Sequence, residues 1–139
     1  MRKLMGKPGE LLAIGTLIIV ADDDAAVCSS LKFSLEVEGF AVRTHLAAVE
    51  LLNDTELEHA GCLVIDQNMP GMNGLDLLAQ VRARAIAAPA ILITSHPSMM
   101  LRERAAKAGV LIVEKPLLGT TLLDRIRDLS SHRNGKRPN

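Results

Sequence analysis

Residues Cys62–Gly74 read Cys-Leu-Val-Ile-Asp-Gln-Asn-Met-Pro-Gly-Met-Asn-Gly, and no other stretch narrows the possible folds as far. Cys62, Leu63, Val64 and Ile65 form a short apolar run with β-branched content, the mark of a strand buried on both faces. Asp66 ends the run, and Met-Pro-Gly and Asn-Gly force a loop behind it. A carboxylate at the C-terminal end of a buried strand stands where open α/β sheets place their ligand chemistry. Taken alone, Asp66 reads equally well as an ordinary turn-starting aspartate.

Three further runs have the same form. Leu17-Ile-Ile-Val-Ala-Asp-Asp-Asp24 is a strand running into three acids, and Ala90-Ile-Leu-Ile-Thr-Ser-His96 is a strand ending in hydroxyls. Val110-Leu-Ile-Val-Glu-Lys-Pro116 ends in an ammonium group, with a proline that stops the strand. Phe40–His45 is shorter and partly polar, which suits an edge. Helical patterns separate the strands. Asp24 can cap a helix bearing Val27, Leu31 and Leu35, and Gly39 ends it. A weak helix covers Ala47–Leu52, and Asn53–Gly61 is a polar, charged connection. A third helix is expected over Gly74–Ala85, with Leu78, Val81 and Ala85 on one face and Arg82 and Arg84 free for solvent. The fourth runs from a Ser98 cap to Ala108, with Gly109 as its stop, and the last starts at Gly119 or Thr120 and carries Leu122, Ile126 and Leu129. Alternating strands and helices imply a parallel sheet covered on both faces, with right-handed crossovers.

At 139 residues the chain makes one domain, large enough to bury about two-thirds of its unfolded surface. Residues 1–15 read as a loose extension, 16–130 as the domain and 131–139 as a disordered polar tail. Sixteen basic and sixteen acidic side chains cancel, and there is no Trp, no Tyr and only two Phe. Both the electrostatic footprint and the stacking platforms of a nucleic-acid binder are therefore missing. The apolar run Leu11–Ala21 is too short to span a bilayer and ends in acids rather than at a cleavage site. Cys28 and Cys62 fall in a helical pattern and at a buried strand, so both are expected reduced, as in a cytoplasmic protein.

Four strand ends bearing acid, acid, hydroxyl and base, in that order, closely resemble the receiver domain of bacterial two-component response regulators. The resemblance covers roughly Thr16–Leu129. It implies a flavodoxin-like, doubly wound, five-stranded parallel sheet of order 2-1-3-4-5 with five helices, and brings Asp22, Asp23 and Asp66 to one crevice. Packed carboxylates repel one another until a proton or a cation relieves them, and magnesium suits such a site. The resemblance implies that Asp22, Asp23, Asp66 and the backbone carbonyl of Asn68 hold Mg2+. It also implies that Asp66 is the phosphoacceptor, assisted by Thr94 and Lys115, and that Asn68 and His96 set the lifetime of the phosphate. His45, His59 and His132 show no partner pattern and read as surface or edge residues. The implied role is that of a phosphoacceptor signalling protein, stand-alone or a relay intermediate, which catalyses its own phosphorylation and dephosphorylation. Its partners would be a sensor histidine kinase or a histidine phosphotransfer protein. Self-association, if present, would use the face of the fourth helix, fifth strand and fifth helix.

Two departures bear on signalling. Ile112 stands three residues before Lys115, where receivers usually carry a switching Tyr or Phe alongside the Thr94 position. The connection Gly109–Lys115 is also one residue shorter than usual. Two rivals remain on these grounds. Asp22-x-Asp24 approaches the motif of haloacid dehalogenase-like phosphohydrolases, although position 26 is Ala and the chain has no room for a cap. The other rival is a receiver fold used only for docking, without phosphorylation.

Overall fold

A computed structural model describes residues 15–117 and 119–134. Five strands, β1 (Leu17–Ala21), β2 (Ala41–His45), β3 (Cys62–Asp66), β4 (Ala90–Thr94) and β5 (Leu111–Glu114), alternate with five helices. The helices are α1 (Ala25–Val37), α2 (Ala48–Leu52), α3 (Gly74–Ala83), α4 (Met99–Lys107) and α5 (Thr121–Asn134). All strand pairs are parallel, in the order 2-1-3-4-5 expected of the flavodoxin-like architecture.

Side-chain alternation along each strand divides the core into two layers. Ile19, Leu63, Ile65 and Leu92 pack with Leu51, Leu77, Leu78, Val81 and Ala105 from α2, α3 and α4. Ile18, Val20, Val64, Ile91 and Ile93 point the other way, onto Leu31 and Leu35 of α1 and Leu122 and Ile126 of α5. Every residue of β3 and β4 is buried, as a strand flanked on both edges and both faces must be. β2 at one edge alternates, and β5 at the other leaves Leu111 and Glu114 exposed. Each fully buried Ile or Leu contributes about 1.5–3 kcal/mol, so these layers dominate the stability of the sheet. Cys28 and Cys62 are buried free thiols; burial raises both pKa values, that of Cys62 to about 12, which leaves them unreactive.

Because β1 and β3 are neighbours with Ala21 opposite Ile65, Asp22 and Asp66 leave the sheet side by side. Side-chain caps start the helices along the same edge: Asp24 accepts from the N–H groups of Ala26 and Val27, Asn73 from Asp76, and Ser98 from Leu101.

Three expectations need correction. Helix α3 ends at Ala83, and exposed Ala85 adopts the left-handed conformation with φ 63°. High alanine propensity extends the pattern on paper, but the chain must turn there to reach β4. Arg82 is half-buried and donates to the Ile86 carbonyl at 2.9 Å, whereas Arg84 is exposed as expected while also donating to the Leu52 carbonyl at 2.6 Å. Helix α5 continues to Asn134, past the point where polar composition suggested a disordered tail. The extension Met1–Ile14 and residues 135–139 lie outside the described residues.

Candidate functional site

The crevice at the C-terminal edge of β1 and β3 collects the acids. Asp22 is 0% exposed and Asp66 3%, whereas Asp23 is open to solvent. Carboxylate oxygens of all three lie within 4.8 Å of one another. Lys115, at the end of β5, reaches across with Nζ 3.1 Å from Asp22 Oδ2 and 3.6 Å from Asp66 Oδ1. Asp22 Oδ1 accepts the Asp24 N–H at 2.9 Å. Asp22 Oδ2 is buried with the Lys115 ammonium as its ion-pair partner and no well-formed hydrogen bond. A buried carboxylate oxygen left in that state, beside two more carboxylates, is a donor set suited to a hard cation with oxygen ligands. Asp24 faces away and caps α1, which removes it from the role that the haloacid dehalogenase motif would need.

Burial raises the Asp66 pKa from the ordinary carboxylate value to about 6. The Asn68 N–H, 3.2 Å from Asp66 Oδ1, works against that rise, as does Lys115, while Asp22 and Asp23 add to it. Burial also disfavours the charged form of Lys115, yet the carboxylates of Asp22 and Asp66 outweigh it and raise the pKa.

Thr94 ends β4 and is 1% exposed. Its Oγ1 accepts from Asn68 Nδ2 at 3.1 Å and donates to the Ser95 carbonyl at 3.3 Å. Two residues farther, exposed His96 has φ 48°. The structure thus brings Asp22, Asp23, Asp66, Asn68, Thr94 and Lys115 together at one edge of the sheet, with His96 on the adjoining loop. Ile112 lies apart on β5, opposite Leu92, half-buried against the α2–α4 layer.

Two polar residues that pattern reading missed support this edge. Buried Gln67 donates its N–H to the Ile93 carbonyl, while its own carbonyl accepts from Gly74 N at 3.0 Å and its Oε1 from Leu75 N at 2.9 Å. These bonds satisfy two of the N–H groups left open at the start of α3 and tie the loop after Asp66 to that helix. The open N–H groups were a signal available in the sequence; the partner was not. Buried Asp54 is the other. Its Oδ2 lies 2.8 Å from Arg43 Nε and 2.7 Å from His45 Nε2, and its Oδ1 accepts the Glu56 N–H at 2.8 Å. His45 therefore has a partner, contrary to expectation, and its backbone carbonyl accepts the Asp22 N–H at 3.0 Å. Exposed His59 pairs with Glu56, 3.3 Å away, and the side chain of His132 lies outside the described residues.

Burial opposes the Asp54 charge, but Arg43, the Glu56 N–H and His45 outweigh it and hold the pKa at about 2. A depressed carboxylate stabilises the fold above the unfolded value near 3.8, and that contribution is lost as pH falls through about 2. Asp54→Asn is expected to lose about 2–3 kcal/mol at pH 7 and clearly less at pH 2.5, read from urea unfolding. Equal losses at the two pH values would contradict the ion-pair account.

A doubly wound sheet with an acidic crevice, a hydroxyl and a lysine at its switch-point edge defines a flavodoxin-like α/β domain with the layout of a signalling module. The chain belongs to the response regulator receiver domain family, whose model matches residues 18–127. It is 36% identical over 114 residues to the transcriptional regulatory protein FixJ of Rhizobium meliloti, covering 81% of this chain and 56% of that protein. It is 35% identical to the C4-dicarboxylate transport transcriptional regulatory protein DctR of Rhodobacter capsulatus, over 76% of this chain and 55% of that one. The chain thus spans about half the length of these curated relatives. Among solved structures, FixJ-N superposes with TM-score 0.72 at 34% identity, covering 84% of this chain and 94% of that chain. The receiver domain of the Francisella response regulator 1452 superposes with TM-score 0.78 at 25% identity, over 86% and 99%. No helix among the described residues is long and apolar enough to cross a membrane.

Proposed function

We propose that this receiver accepts a phosphoryl group on Asp66 from the phosphohistidine of a sensor histidine kinase or a histidine phosphotransfer protein, and serves as a signalling switch or relay intermediate. The observation that carries the reading is the crevice itself: a buried carboxylate within 4.8 Å of two others and 3.6 Å from an ammonium. An Asp66 carboxylate oxygen attacks phosphorus, the P–N bond breaks, and the electron pair returns to the partner imidazole, which takes up a proton. Such transfer rests on positioning and charge stabilisation. Lys115 Nζ holds a fixed positive charge beside the attacking oxygen, and the Thr94 hydroxyl has a proton to offer a phosphoryl oxygen. Asp22, Asp23, Asp66 and the Asn68 carbonyl would hold Mg2+, which when bound supplies neutralising charge for the transferring group. Asn68 and His96 border the approach of hydrolytic water and so govern phosphate lifetime.

The expected result with acetyl phosphate and Mg2+ is a gain of one phosphoryl group by intact mass, absent with EDTA and absent in Asp66→Asn. Equal labelling of the variant would sink the assignment, and no labelling of the wild type would leave the docking-module rival in its place.

The route outward departs from the usual one. Ile112 has a stiff χ1 and no ring to swing between two packings. Phosphorylation is therefore expected to shift amide signals around Asp66 and Thr94 more than those along 101–108 and 122–129, measured with beryllofluoride as mimic. Changes of comparable size along those two stretches would show that another residue has taken over the aromatic's part.

A further inference from the structure

The Thr94 hydroxyl has one proton and two lone pairs, and its two contacts in this structure are with Asn68 and Ser95 rather than with Asp66. Its proton is directed to the Ser95 carbonyl at 3.3 Å, long for an O–H···O bond. The Asn68 Nδ2 contact, at 3.1 Å, falls within the ordinary N–H···O range and is the firmer of the two. The hydroxyl oxygen is thus held chiefly by Asn68. Asn68 also donates its backbone N–H to Asp66 Oδ1 at 3.2 Å, so one residue touches both the acceptor carboxylate and the hydroxyl that must answer it.

We propose that the Asn68 side-chain amide is a positioning residue that holds the Thr94 hydroxyl away from Asp66 until a phosphoryl group draws it off. The inference rests on the phosphoacceptor reading and adds a role in entry to the phosphorylated state, separate from any effect on hydrolytic water. For Thr94 to donate to a phosphoryl oxygen, its proton must leave the Ser95 carbonyl, and movement of its oxygen toward Asp66 stretches the bond from the Asn68 amide. Asn68 is exposed, so the freed amide regains water, and the cost is that of one ordinary hydrogen bond. Removing the amide should accordingly favour the phosphorylated conformer by about two- to tenfold.

The test is calorimetric titration with beryllofluoride and saturating Mg2+ of four proteins: wild type, Asn68→Ala, Thr94→Ala and the double variant. Asn68→Ala is expected to bind about two- to tenfold tighter than wild type, and to make no difference once Thr94 is alanine. Unchanged or weaker binding by Asn68→Ala overturns the proposal, and so does the same gain without the Thr94 hydroxyl. A merely structural role for Asn68 would move the melting temperature and leave the coupling at zero. If Thr94→Ala binds too weakly to titrate, the Asn68 side-chain NH2 signals decide. They should move on Thr94→Ala substitution alone and move again in wild type on adding beryllofluoride; signals fixed in both cases rule the tether out. Wild type that binds no beryllofluoride overturns the phosphoacceptor reading, and this inference with it, in a way visible before any variant is compared.

Discussion

Asp66→Asn is expected to stabilise the metal-free fold at pH 8 even as it removes the carboxylate proposed to accept the phosphoryl group. Asp66 is 3% exposed, and burial first, then Asp22 and Asp23, raises its pKa to about 6 against the opposition of the Asn68 N–H and Lys115. A carboxyl whose folded pKa lies above its unfolded value prefers to be protonated in the native state. Its favourable contribution is complete below about pH 4 and is lost as pH rises through about 6. At pH 8 the wild type bears the whole cost of an ionised Asp66. Lys115 and water entering on the open Asp23 side relax around that charge, so the penalty is on the order of 1–2 kcal/mol rather than the full shift. Asparagine keeps the shape and the acceptor for the Asn68 N–H while discarding the charge, and Lys115 keeps Asp22 as its partner. Thermal melts in EDTA should favour the variant at pH 8 and show no advantage at pH 4. Added Mg2+ should cancel most or all of that advantage, because an ion bound only by the native acids stabilises wild type by about 1.4 kcal/mol at tenfold its dissociation constant. Asp23→Ala should remove most of that gain. A variant less stable than wild type at pH 8 in EDTA would show that the crevice accommodates its charges without strain.

The acids, the threonine and the lysine were legible because each stands at the end of an apolar run, where side-chain period and loop chemistry both mark the position. Strand order followed from resemblance rather than from pattern. What stayed hidden depends on contacts between distant stretches. Asp54 looked like one more acid in a charged connection, and only the folding of β2 beside it makes it the buried partner of Arg43 and His45. Arg84 is solvent-facing as its helical position suggests, but periodicity does not show that the Leu52 carbonyl lies within its reach. Ala85 carries a strong helix propensity that the geometry of the turn into β4 overrides. The Asn68–Thr94 bond joins residues 26 apart, each already singled out, but no pattern states that they touch.

Gly74→Ala is expected to lose about 2 kcal/mol or more of stability and to slow phosphorylation about 10–100-fold, although alanine is the better helix former. On an unencumbered helix the exchange would gain about 0.5–1 kcal/mol. Here an added Cβ would lie 2.7 Å from Leu92 Cδ1, 2.8 Å from the Asp66 carbonyl oxygen and 3.0 Å from Gln67 Cα. Leu92 can rotate, but the other two atoms are backbone, and they belong to Asp66 and the residue after it. Relief must come from moving the Asp66–Gln67 segment away from α3. That movement loosens the bonds from Gly74 N to the Gln67 carbonyl and from Leu75 N to Gln67 Oε1, the two that fix the loop. Asp66 would then shift against Asp22 and Lys115, and a misplacement near 1 Å costs on the order of a hundredfold in a reaction that depends on positioning. Gly109→Ala provides the control. Gly109 has φ 72° with nothing within 4 Å of its added Cβ, so alanine there costs about 1–2 kcal/mol of backbone strain at the end of α4 and touches nothing at the site. The two variants should therefore separate: similar melting losses, but a slowed acetyl phosphate reaction only for Gly74→Ala. Equal reaction rates in the two would mean that the Asp66 loop adjusts without moving its carboxylate, and that close packing under Gly74 serves the fold alone.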